Sequence, residues 1–497
     1  MLTSGNANLL MAHGTPLQQQ VFAANEFSGR FSGTMCLSEP QAGSSLSDVV
    51  TRAVPDGGGS EADPLGPRYR LRGNKMWISN GEHELTENII HLVLAKIPGP
   101  DGKLIAGTKG ISLFIVPKKL VGTDGQLTGE RNDVALAGLN HKLGYRGIPN
   151  TLLNFGEGKF EVRGQPGAVG YLVGKPHEGL RCMFHMMNEA RIAVGLGATV
   201  IGYAGYEASL AYARNRPQGR PLQKLPPGGA AGAGSKDATK PQIPIIEHAD
   251  VKRMLLAQKS YCEGALALEL YCAKLVDEQH TSDAQAATEA ALLLEMLTPI
   301  AKSWPSEWCL EANSLAIQVH GGYGYTRDFP VEQLWRDNRL NMIHEGTHGN
   351  QGLDLLGRKV VMQQGAGLAL LVKKVNETVV RAQAVPALAA HAAALAAGLD
   401  HLVTATHAAW ATGEPEAALA NATPYLQAFG HTVLAWVWLD VALCAQAQPA
   451  AADADMHAGL LAACRYFFRY ELPKVPAWLA VVETRDDTCR NMQDAWF

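Results

Sequence analysis

The chain has 497 residues, enough for two to four domains with a substantial core. Its formal net charge is −4 with 47% hydrophobic residues, which offers no electrostatic case for nucleic-acid binding. The eight cysteines are scattered with no C-x-x-C pair, the N-terminus lacks a signal-peptide layout, and no apolar run is read as approaching the roughly 20 residues that span a bilayer, so the expectation is a reducing, cytoplasmic setting without membrane.

Residues 1–30 read as helix around Asn8–His13 and Pro16–Phe22. They are too short for a domain and are expected to be the remnant of an N-terminal helical one. From Phe31 to about residue 165 short β-branched or apolar runs alternate with Gly, Pro and Asp clusters, a strand-and-turn rhythm. Candidate strands are Thr34–Leu37, Tyr69–Leu71, Lys75–Ser79, Asn88–Ala95, Gly110–Val116 and Thr151–Phe155. They predict a small antiparallel β-barrel or sandwich. From about residue 175 to 363 the period becomes 3.6, with helices over Gly179–Arg214, Ala249–Glu278, Ala284–Lys302 and Pro305–Val319. Pro305 is placed in a helix first turn. Pro221–Pro244 between them, rich in Gly, Ala and Pro, reads as an excursion. The helices are expected to form a bundle. Residues 364–497 are Ala-rich and predict a further helical domain over Leu368–Ala384, Pro386–Ala411, Pro424–Ala447 and Met456–Leu472, with few polar side chains converging. The fold class is α+β and multidomain: a small antiparallel β-barrel, an α-helical bundle, and a C-terminal helical appendix.

Four stretches carry candidate chemistry. Met35–Ser44 (Met-Cys-Leu-Ser-Glu-Pro-Gln-Ala-Gly-Ser) is by itself a strand running into a turn. Its functional reading is a backbone edge beside a planar ring, with Ser38 as a short hydrogen bonder. In Lys75–Gly81 (Lys-Met-Trp-Ile-Ser-Asn-Gly), strand alternation predicts Trp77 and Ser79 on one face, suited to stacking on a flavin. Gln318–Gly324 holds a Gly-Gly-x-Gly run that reads either as a helix stop or as a backbone approach to phosphate. Asn341–His348 contains His344-Glu-x-x-His348. That is the zinc-protease pattern, but it needs both histidines on one face of a continuous helix, and Gly346 and Gly349 make that helix poor. The expectation is no metal.

In order and spacing, Met35–Ser44, Lys75–Gly81 and Gly110–Pro117 resemble the middle domain of the acyl-CoA dehydrogenases, and Glu345-Gly-Thr347 resembles the turn that carries their catalytic base. The resemblance covers nearly the whole chain. Segments 320–333, 352–359 and 364–497 resemble the subgroup with an acetyl-CoA-dehydrogenase-like C-terminal domain, which includes the 3-methylmercaptopropionyl-CoA dehydrogenases. Relatives begin with a full helical domain, so the chain is expected to be N-terminally truncated.

The resemblance implies FAD, with Met35, Leu37, Ser38, Trp77 and Ser79 at the flavin ring. It places Arg216, Gln318, Gly322 and Thr347 on the rest of the cofactor. Ser44 and Arg191 would touch an acyl-CoA substrate. Glu345 would abstract the α-proton while the β-hydride passes to the flavin, with Glu189 a distant second candidate for the base. It also implies an electron acceptor such as electron-transferring flavoprotein and a homodimer or homotetramer. Two departures stand out. Ser45 replaces the family's Asp, predicting a lost turn hydrogen bond, and His344 replaces Tyr before the Glu-Gly-Thr. The alternatives are a truncated or repurposed non-catalytic flavin-fold protein, or an acyl-CoA oxidase.

Overall fold

A computed structural model describes residues 1–221, 239–447 and 453–497. Most of the Pro221–Pro244 excursion lies outside the described residues. The chain divides into two units, Met1–Ala190 and Arg191–Phe497.

The first unit holds ten strands: β1 (Phe31–Cys36), β2 (Arg52–Pro55), β3 (Arg68–Ser79), β4 (Asn88–Lys96), β5 (Ile111–Pro117), β6 (Lys119–Val121), β7 (Leu127–Arg131), β8 (Val134–Leu139), β9 (Asn150–Phe155) and β10 (Ala168–Val173). The main sheet runs β1-β4-β5-β10-β3-β9-β8, and β2 pairs with both β3 and β4. That second pairing closes β4, β5, β10, β3 and β2 into a small barrel. Most pairs are antiparallel; β1–β4 and β2–β4 are parallel. All nine residues of β4 are buried, as are all of β5 and β10. Their apolar runs are continuous because both faces are covered. Ile90, Leu92 and Leu94 pack with Leu9, Leu10 and Phe22 of the N-terminal helices, while Val93 and Ala95 point into the barrel with Phe114 and Phe155.

Two buried amides tie the N-terminal helices to the sheet. Asn6 Nδ2 donates to the Ile90 carbonyl at 3.0 Å. Gln18 Nε2 donates to Leu65 O at 2.8 Å and Leu172 O at 2.9 Å. Gln18 also completes a capping box with Thr15 ahead of Pro16. Five strands (β2, β6, β7, β8 and β10) are not among the candidates read from the sequence. β10 lies beyond residue 165, and the Gly and Pro on either side of its Ala-Val-Gly-Tyr-Leu-Val hide a central strand.

Long helices dominate the rest: Gly179–Asn215, within which the division between units falls, Ala249–Thr281 and Ala284–His320. The last corrects a sequence expectation. Pro305 does not open a helix; it and Pro299 lie inside one 37-residue helix. Next to the two prolines, Thr298 Oγ1 donates to Leu294 O and Ser306 Oγ to Lys302 O, bonds that favour a bend in a helix. The helices Ala366–Gln383, Ala389–Ala409, Ala422–Ala447, Ala454–Tyr466 and Val475–Glu483 follow. They share one hydrophobic cluster, spanning Ala257 to Val482, with the helices before them.

Two further expectations do not hold. Ala422–Ala447 is long and apolar enough to cross a membrane, contrary to the reading of the sequence, and 78% of its most apolar window is buried in the protein. Phe429, Leu434 and Trp438 supply that apolarity as core. Polar side chains also converge in the C-terminal region. Trp304 Nε1 donates to His431 Nδ1 at 3.1 Å, which leaves Nε2 to face Glu471 Oε2 at 3.4 Å. Tyr261 and Lys474 donate to the same carboxylate at 2.8 and 2.5 Å. Burial pushes Glu471 up, but the bonds from His431 and Lys474 outweigh it and hold the carboxyl below its usual range.

Candidate active site

In the first unit, one buried carboxylate organises the Met35–Ser44 stretch. Glu39 Oε2 accepts from Val50 N and Gln41 Nε2, both at 2.8 Å. Its Oε1 accepts from Thr51 N at 3.0 Å, Thr51 Oγ1 at 2.5 Å and Lys75 Nζ at 2.9 Å. Lys75 is fully buried and also donates to the Leu37 carbonyl at 2.9 Å. Met76 N donates to Ser38 O at 2.9 Å. Residues 35–38 and 75–79, the two stretches expected at a flavin ring, are thereby laid side by side. Burial raises the proton affinity of Glu39, yet the Lys75 charge and the Thr51 and Val50 donors bring it below the ordinary carboxylate range.

Met35, Ser38 and Ser79 are half-buried, Leu37 is buried and Ser44 is exposed. Regular strand alternation, on which the expected pairing of Trp77 with Ser79 rests, is interrupted at Trp77. The β3–β9 register shifts between Lys75 and Ile78, and Trp77 takes φ 67° within that bulge. The bulge turns the indole outward, 59% exposed, an unusual setting for so large an aromatic. Ser45 does not leave its turn unbonded: its hydroxyl donates to Asp48 Oδ2 at 2.6 Å and lies 2.9 Å from Ser47 Oγ. Glu189 is exposed and accepts from Asn8 at 3.1 Å.

In the second unit, Glu345 sits at a reversal of the chain. A short 3₁₀ turn, Arg339–Met342, precedes it and the helix His348–Asp354 follows. Glu345 has φ 55° and Gly346 φ 93°, two successive left-handed residues. The first is costly for a residue with a Cβ, about 1–3 kcal/mol. The helix required by a zinc site is therefore broken between His344 and His348. Thr347 does not face outward freely: its hydroxyl caps the following helix by accepting from Asn350 N at 3.4 Å.

Three side chains steady the turn. Lys302 Nζ donates to Gly346 O at 2.6 Å, Gln351 Nε2 to Glu345 O at 2.9 Å, and His344 Nε2 lies 3.0 Å from Asn341 Oδ1. Glu345 itself is half-buried. Burial pushes its carboxyl up to about 7, against the opposing pull of Arg191 and Lys302. Burial brings Lys302 down to about 8, with Glu345 resisting. His344 and His348 are lowered to about 4, by burial first and by the Lys302 charge second, so both are neutral at pH 7. Arg191 is buried and pairs with Asp354 at 2.9 Å, and its Nε has no partner among the described residues.

The same unit holds Arg216, Gln318 and Gly322, the other residues expected on a cofactor. Arg216 follows the helix Gly179–Asn215, and its guanidinium lies 5.8 Å from the Tyr323 ring. Gln318 and Gly322 are exposed beside that ring in sequence, and Gly322 leaves open space where a side chain would project.

Three family models match: "Acyl-CoA dehydrogenase, middle domain" over residues 34–157, "Acyl-CoA dehydrogenase, C-terminal domain" over 231–360, and "Acetyl-CoA dehydrogenase C-terminal like" over 371–493. The 3-methylmercaptopropionyl-CoA dehydrogenase of Ruegeria pomeroyi is 37% identical over 457 residues, which is 90% of this chain and 71% of that protein. The chain belongs to the acyl-CoA dehydrogenase family. Solved structures agree on the fold. Caenorhabditis elegans ACDH-11 in complex with C11-CoA has TM-score 0.74 at 18% identity, covering 99% of this chain and 75% of that one. An acyl-CoA dehydrogenase complexed with FAD from Bacillus anthracis has TM-score 0.71 at 18% identity, covering 94% and 72%.

Within this acyl-CoA dehydrogenase chain, Glu39, Lys75 and Lys302 do the ordering and were not singled out from sequence. The first two stood inside the quoted motifs. Lys302 had a weaker signal, a lone lysine in the apolar Leu297–Trp304 stretch.

Proposed function

We propose that this chain catalyses α,β-dehydrogenation of an acyl-CoA thioester with Glu345 as the base. The observation that carries the reading is a carboxyl raised to about 7 on a left-handed turn. A base is most useful when its proton affinity lies near the operating pH. The two neighbouring histidines, neutral and lowered to about 4, are poor competitors for that task. Glu345 removes the α-proton. Among the described residues its backbone N–H has no acceptor, so it is free to donate to the thioester oxygen and stabilise the charge that develops there. Arg191, held by Asp354, keeps positive charge beside the turn.

The residues present fit FAD. The outward indole of Trp77 next to the Ser38 edge suits the flavin ring, and exposed Arg216 with the open backbone at Gly322 suits a pyrophosphate. FAD, when bound, supplies the acceptor for the β-hydride. Cytoplasmic location, a homodimer or homotetramer, and an electron-transferring flavoprotein as acceptor belong to the same proposal.

The test is the visible spectrum of the purified protein before and after a panel of acyl-CoAs. A bound flavin that bleaches with one of them supports the reading. A protein that neither carries nor takes up FAD ends it, and peroxide release in air would make it an oxidase.

A further inference from the structure

We propose that Lys302 is a positioning residue for this reaction: its ammonium grips the Gly346 carbonyl and sets an unpaired positive charge beside the Glu345 carboxyl. This rests on the reading of Glu345 as the base.

Lys302 is 0% exposed and lies mid-helix in Ala284–His320. Burying an ammonium is expensive unless it is paired and hydrogen-bonded. Lys302 has one acceptor, the Gly346 carbonyl at 2.6 Å, and among the described residues no carboxylate lies within ion-pair distance. Arg191, the other cation that acts on Glu345, differs in having a carboxylate partner, Asp354 at 2.9 Å. The charge of Lys302, whose acceptor is a carbonyl, is offset by no partner and acts on its surroundings together with that of Arg191. Those surroundings are Glu345, whose carboxyl it pulls down, Arg191, and His344 and His348, both of which it helps keep neutral.

The backbone adds a second requirement. Glu345 and Gly346 are consecutive left-handed residues. Such a turn persists only when its neighbours hold it. Lys302 holds the Gly346 carbonyl and Gln351 holds the Glu345 carbonyl. Of these two side chains, Lys302 alone carries charge. It steadies the turn that carries the carboxylate and, with Arg191, makes the carboxyl give up its proton more readily.

The experiment uses the full flavin-loaded chain and the acyl-CoA that bleaches the wild-type flavin fastest. It compares Lys302→Met, Lys302→Gln and Lys302→Arg. Removing an opposite charge that lies within about 4–6 Å of a carboxyl shifts it up by about one pH unit or more. The acid limb of kcat should therefore move to higher pH in Lys302→Met and Lys302→Gln. It should stay near the wild-type position in Lys302→Arg, and KM should change less than kcat. Lys302→Gln keeps a donor for Gly346 and so separates charge from hydrogen bond. If Lys302→Met does not fold, the Gln and Arg variants decide the matter between them. An unmoved limb in folded Lys302→Gln overturns the proposal, and so does failure of all three to retain flavin, which would make Lys302 a folding residue only. Glu345→Gln is run alongside. Turnover surviving in it removes Glu345 as the base. Lys302 is then judged by amide deuterium exchange over 343–347, which must quicken in Lys302→Met if it holds the turn and stays unchanged if it does not.

Discussion

Gly195 lies so close to the Ala301 carbonyl that an added Cβ would overlap the oxygen, and it would strike Glu269 Oε1 as well. The cause is four residues away. Pro305 has no N–H to offer to that carbonyl, so the oxygen is turned to the neighbouring helix instead. Only glycine allows the two helices to approach at this point. Gly195→Ala should destabilise the protein by about 2–3 kcal/mol through overpacking. Thermal unfolding followed by circular dichroism checks it. A variant that melts with the wild type would show that the helices can part without cost.

What could be read from the sequence follows from how local each signal is. The Glu-Gly-Thr turn and the Trp-Ile-Ser strand are short, self-contained patterns, so Glu345 and Trp77 could be named before the fold was known. The helices Gly179–Asn215 and Ala249–Thr281 announce themselves by period. Pro305 misled because proline usually ends or opens a helix, and only the surrounding core keeps this one continuous. The irregularity at Trp77 was hidden for a related reason: a bulge is decided by the partner strand β9, not by the residues of β3. The His431–Glu471–Tyr261 cluster joins three helices far apart in sequence, and no window of residues contains it.

The Glu39–Lys75 pair should act as a unit. Removing one partner leaves a buried charge and cuts the tie between residues 35–38 and 75–79. Lys75→Met and Glu39→Gln are each expected to cost about 3–5 kcal/mol, and the double variant less than the sum. The pH dependence has a definite sign. The folded-state carboxyl of Glu39 is lowered, so its contribution is present above the unfolded value, about 4.3, and is lost as pH falls through the folded value. Urea unfolding at pH 7 and pH 3 should therefore show the gap between wild type and Glu39→Gln shrinking in acid. A gap that widens in acid would reverse the assignment.

Arg216 offers a charged, exposed guanidinium on the same face as the Gly-Gly-Tyr-Gly segment. If it holds a pyrophosphate, Arg216→Ala should lose a charge-assisted bond worth about 1.5–3 kcal/mol. That corresponds to FAD binding weakened by about tenfold to a hundredfold. Titrating the apoprotein with FAD by flavin fluorescence measures this directly. The melting temperature of the apoprotein should barely change, because Arg216 packs little in the fold itself. Equal FAD affinity in the variant would move the cofactor's phosphates elsewhere.

Glu345 makes a prediction that needs no substrate. Its folded-state carboxyl is raised to about 7, well above an unfolded glutamate. The native state therefore binds the proton more tightly than the unfolded chain does. Stability must fall as pH rises from about 4.3 through about 7, because the buried carboxyl is being ionised. Glu345→Gln, which cannot ionise, escapes that penalty. At pH 8 it should be more stable than the wild type by about 3–4 kcal/mol, and below pH 4 the two should unfold alike. Paired denaturant curves across that range test it, with the apoprotein used for both so that FAD does not mask the difference. An equal gap at both ends of the range would mean that the substitution changes packing rather than charge. A wild type more stable than the variant at pH 8 would mean that Lys302 and Arg191 outweigh burial, so that the carboxyl is an ordinary ionised glutamate and a weaker base than its position implies.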